Sequence, residues 1–124
     1  YGQNYINFLL MREARNAHPY VKMWITELKK ITQADAIVLF GSVLSKYKEA
    51  NDIDIVIISN QKRFTKLKAE IETINTINIK KIHPIYQTRE DFMKNLKKND
   101  PVILNAAKGI IVFGEDAMIE MMKQ

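Results

Sequence analysis

Apolar residues recur along this chain with two periods, and the change from one to the other marks its elements. After Pro19, the residues Val21, Trp24, Ile25, Leu28 and Ile31 follow at three-and-four spacing, which predicts a helix with proline in its first turn. Trp24 sits inside that stripe and so reads as core, not as a stacking platform. Ala36 to Phe40 is then an unbroken apolar run of strand length, followed by a short helix or turn through Val43–Tyr47. Asp52–Ser59 carries a second run, Ile53-Ile55-Val56-Ile57-Ile58, which reads as a strand buried on both sides and paired with the first.

Helical period returns over about Arg63–Ile77, where Phe64, Leu67, Ile71, Ile74 and Ile77 form one stripe and the charged positions a solvated face. Ile79 to Tyr86 alternates as a third strand, and Pro84 marks it as an edge or a bulge. Thr88 caps a helix with Phe92 and Leu96, and Asp91 stands at the capping-box position. Asp100-Pro101 opens another helix, Gly109 closes it, Ile110–Phe113 is a fourth strand, and Glu115 to Lys123 ends the chain as a methionine-rich helix whose Met118, Met121 and Met122 serve packing or an interface. This order predicts an α/β (α+β) protein with one mixed sheet of about four strands and helices mainly on one face.

Composition narrows the chemistry. A chain of 124 residues makes one core. With no cysteine, disulfides and thiolate metal sites are excluded, and two distant histidines leave no His-rich zinc site, so any metal must be held by oxygen. No apolar run is long enough to span a bilayer and no secretory leader is evident, so the expected location is cytoplasmic, with no membrane partner. The net charge of +5 suits a polyanion such as a nucleotide or nucleic acid, yet the lysines form only small groups, and a chain rich in Ile, Lys and Asn throughout offers a plainer origin for them.

Chemistry concentrates between the first two strands. Side chains alternate along a strand, so Asp52 and Asp54 point the same way at the mouth of the second one. Two neighbouring carboxylates in a buried setting repel, which calls for a bridging cation such as Mg²⁺, and Asp54→Asn is expected to relieve that repulsion. Gly41-Ser42, at the end of the first strand, offers a turn whose backbone can approach a phosphate closely. The plain alternative is an ordinary turn glycine and two aspartates capping a strand end.

Strand, Gly41-Ser42 turn and Asp52-Ile53-Asp54 strand together resemble the nucleotidyltransferase superfamily related to DNA polymerase beta, and its minimal stand-alone members in particular, over roughly residues 20 to 114. The resemblance implies transfer of a nucleoside monophosphate from an NTP to an acceptor hydroxyl. Asp52 and Asp54 would bind Mg²⁺ or Mn²⁺ as metal ligands and catalytic residues. Gly41 and Ser42 would hold the phosphates at the start of a short helix, and Lys46, or Lys48, would neutralise one. Active members usually add a third carboxylate on the strand after the long helix, and matching Lys81-Ile82-His83-Pro84 onto that strand puts His83 in its place. His83 is thus a candidate catalytic base or nucleobase contact, or simply a satisfied strand histidine. Glu90 and Asp91 fall past the strand. The chain also departs from the family in having Lys46 where a second glycine is common, Asn51 where a serine is common, and a spacing about one residue short.

Residues 1–19 read as an N-terminal arm before a nucleotidyltransferase-like domain over 20–124. The start at Tyr1 without methionine points to a fragment, and the polar/aromatic alternation of Tyr1 to Phe8 resembles the last wing of a winged-helix domain. Two functions follow. One is an enzyme that modifies a protein or nucleic-acid acceptor. The other is a catalytically weak nucleotide-sensing or dimerising module of a DNA-binding regulator, reaching DNA through an upstream domain and forming a homo-oligomer.

Overall fold

Unbroken apolar strands need cover on both faces, and the computed structural model, which describes residues 18–123, builds that cover from both ends of the chain. Helix α1 (Pro19–Leu28) leads into β1 (Ala36–Phe40), a single 3₁₀ turn (Ser42–Leu44) and β2 (Asp52–Ile58). Helix α2 (Phe64–Ile77), β3 (Lys81–Gln87), α3 (Arg89–Lys97), α4 (Pro101–Ala106), β4 (Ile110–Phe113) and α5 (Glu115–Met122) follow. The sheet runs β3-β2-β1-β4, with β1 antiparallel to both neighbours and β2 parallel to β3. The arm expected over 1–19 falls almost wholly outside the described residues.

Alternation sends Ile37, Leu39, Ile53, Ile55 and Ile57 against α1 and α2, where Val21, Trp24, Leu28, Leu67 and Ile71 meet them. The intervening Val38, Phe40, Val56 and Ile58 pack against Phe92, Leu96, Ile103, Met118 and Met121 of α3, α4 and α5. The helices therefore divide two and three between the faces, not mainly onto one as their order along the chain suggests. Burial of β1 and β2 on both sides requires this, since a bare face would leave several large apolar side chains in water at about 2 kcal/mol each.

Local capping follows the sequence closely. Thr88 Oγ1 accepts from the Asp91 amide at 3.1 Å, and Asp100 Oδ1 accepts from the amides of Val102 and Ile103 at 3.0 and 3.1 Å. Strand β3 starts at Lys81 and leaves Ile79 fully exposed, because Asn75 of α2 accepts from the Ile82 amide at 2.7 Å and so fixes where the edge strand begins. Gly109 does not end α4 with a left-handed residue. Its role is close approach: a Cβ there would lie 2.2 Å from the Leu39 carbonyl oxygen of β1. At the start of β1, Asp35 accepts from Arg63 Nη1 at 2.8 Å and Arg89 Nε at 3.3 Å, joining the leading ends of α2 and α3 from opposite faces.

Candidate functional site

Antiparallel pairing of β1 with β2 sets Phe40 opposite Asp54, so the chain leaving β1 passes directly over that carboxylate. Gly41 makes the passage with φ of +87°, a backbone shape that favours glycine, and a Cβ at this position would lie 2.5 Å from Asp54 Oδ2. Space and conformation thus both require glycine here. The 3₁₀ turn of Ser42–Leu44 follows, and its hydrogen bonds occupy the amides of Leu44, Ser45 and Lys46. A single turn has little macrodipole, so any phosphate would meet the first amides of the turn and the Ser42 hydroxyl instead of a helix field.

Asp52 and Asp54 share the sheet face that carries Val56 and Ile58, but they lie at its rim, beyond the helices that cover that face. Asp52 is exposed and the Asp54 side chain is 29% exposed. Water therefore screens the repulsion expected of a buried pair, and the case for a cation rests on shared direction and closeness to Gly41 instead of on burial. Parallel pairing places Lys81 beside Asp52 and His83 beside Asp54. Lys81 turns away: its ammonium donates to the carbonyls of Asn75 and Asn78 at the end of α2. His83 does not, and its Nδ1 stands 3.2 Å from Asp54 Oδ1. Glu90 and Asp91 occupy the first turn of α3, past the opposite end of β3.

Lys46 and Lys48 are exposed on the turns after Ser42. A cleft of about 310 Å³ beside Gly41 and Ser42 is lined instead by Ser45, Asn105, Lys108 and Gly109 as well as those two. Sequence reasoning missed Asn105 and Lys108 because nothing local marks them. They reach the turn only because β4 pairs with β1, with Ile110 opposite Leu39.

Among the described residues no three of His, Cys, Asp and Glu gather to hold a metal by themselves. The donors present are two carboxylates on one face next to a turn with no room for a side chain. That set fits a hard divalent ion shared with a phosphate ligand, since Mg²⁺ commonly takes one or two carboxylates and completes its shell from substrate and water. Among the described residues no helix is long and apolar enough to cross a membrane.

A family model described as polymerase beta, nucleotidyltransferase matches residues 23–116, from the middle of α1 to the first residues of α5. No curated protein and no solved structure matches the chain.

Proposed function

Because the chain belongs to the polymerase beta nucleotidyltransferase family, we propose that its Gly41-Ser42 turn and Asp52/Asp54 pair bind an NTP with Mg²⁺ or Mn²⁺ in the cytoplasm, and that transfer is slow. The β1–β2 register carries this reading, since it sets the turn directly over Asp54. Asp52 and Asp54 would hold the ion, which when bound offsets phosphate charge and acidifies an attacking hydroxyl. Gly41 lets a phosphate reach the backbone, and the Ser42 hydroxyl donates to it. The acceptor would be a hydroxyl of a protein or a nucleic acid.

His83 argues for slow transfer. An imidazole nitrogen has one lone pair, whereas a carboxylate presents two oxygens and can serve two ions and a proton at once. Its place beside Asp54 therefore favours holding Asp54 in position over completing the metal site. The same observation is compatible with a second reading, in which the domain binds a nucleotide as a sensor and transfers little or nothing.

Calorimetry with each NTP, with and without Mg²⁺ or Mn²⁺, tests the binding. Metal should strengthen it, and Asp54→Asn should weaken it at least about tenfold. The variant should fold normally, because a partly exposed carboxylate at a sheet rim contributes within about 0.5 kcal/mol. Equal metal-dependent affinity in parent and variant would remove the assignment.

A further inference from the structure

The cleft beside Gly41 deepens this reading and rests on it for where the nucleotide lies. Its walls bring together the hydroxyls of Ser42 and Ser45, the amide of Asn105 and the ammonium of Lys108, with backbone at Gly41 and Gly109. All four side chains can donate hydrogen bonds. Among the described residues none of the four is engaged in a hydrogen bond or an ion pair, and no carboxylate lines the space. At about 310 Å³ the cleft is near the small end of ligand cavities, which suits a compact anion better than a whole nucleotide.

We propose that Lys108 is the cationic anchor for the phosphates received at the Gly41-Ser42 turn, in place of Lys46, with Asn105 and Ser45 donating to phosphate oxygens. Position is the reason for Lys108. It sits at the α4–β4 connection, which Gly109 draws against β1, because a Cβ there would strike the Leu39 carbonyl. The anchor's backbone is thus held to the strand that delivers Gly41, whereas Lys46, exposed as Lys108 is, does not line the cleft. Asp54 lies just behind Gly41, so an anion entering without a divalent ion meets one repulsive charge.

Inorganic tripolyphosphate is the probe, titrated calorimetrically at constant ionic strength with and without Mg²⁺. Lys108→Ala should weaken its binding about tenfold or more, and Lys108→Arg should restore most of the loss. Lys94→Ala, on the exposed face of α3, controls for the loss of one positive charge and should change affinity less than about twofold. Adenosine binding should not respond to Lys108→Ala. No tripolyphosphate binding by the parent, equal losses in Lys108→Ala and Lys94→Ala, or a loss at Lys46→Ala in place of Lys108→Ala would each overturn the inference.

Asp54→Asn separates the two readings, since it should abolish the gain from metal while leaving metal-free tripolyphosphate binding equal or tighter. If NTP binding proves independent of metal and of Asp54 while tripolyphosphate still needs Lys108, the proposed function falls and the anion cleft stands. The converse result leaves the Asp52/Asp54 assignment and removes the cleft.

Discussion

His83 and Asp54 face each other across the parallel β2–β3 pair, with Nδ1 3.2 Å from Oδ1 and the histidine side chain 66% exposed. An exposed imidazole at that position is replaceable without disturbing the core. His83→Asp should therefore fold, and if a third carboxylate is what the site lacks, it should raise label transfer from NTP about tenfold or more over the parent. His83→Ala should give no gain, because it adds no carboxylate and removes the contact that holds Asp54. Transfer by His83→Asp no faster than by His83→Ala would reject the argument, and robust parental transfer abolished by Asp52→Asn would show the site competent as it stands.

Gly41→Ala combines a positive φ with a collision against Asp54 Oδ2, so the turn must shift or the carboxylate must move. A loss of about 1–3 kcal/mol in urea unfolding is expected, with loss of metal-dependent NTP binding. Ser45→Ala, three residues beyond the turn's first residue and exposed, should leave stability unchanged. A parent-like unfolding curve for Gly41→Ala would contradict the geometry at the turn.

Asp35 offers the complementary control. Its partners Arg63 and Arg89 are partly exposed, so Asp35→Ala should cost about 1 kcal/mol, less at high salt. Nucleotide affinity should be unaffected, because β1 separates Asp35 from Gly41 by its whole length. A matching loss of binding would mean that the start of β1 and the site are coupled.

Burial raises the pKa of the Tyr86 hydroxyl above the ordinary tyrosine range. A raised folded value favours the protonated form in the native state, so this contribution is fully present below the unfolded pKa of about 10 and is lost as pH rises through the folded value. Stability should fall on the alkaline side above pH about 10, and Tyr86→Phe should flatten that limb. Thermal melts from pH 8 to 11 that superimpose for parent and variant would exclude Tyr86 as the cause.

Local physics made much of this protein legible from its residues alone. Strand alternation put Asp52 and Asp54 on one face, and side-chain oxygens at Thr88 and Asp100 announced helix starts, because each effect operates within a few residues. The apolar run of β2 also implied cover on both its faces, although the order of elements pointed to one. Tertiary structure alone decided three things. Where the helices stop sets the exposure of the aspartates, Asn75 sets where β3 begins, and β4 pairing with β1 carries Asn105 and Lys108 to Gly41. Each depends on contacts between segments far apart in sequence, whose meeting is driven by burial of shared apolar surface, a force that is non-directional and leaves no mark on the neighbouring residues.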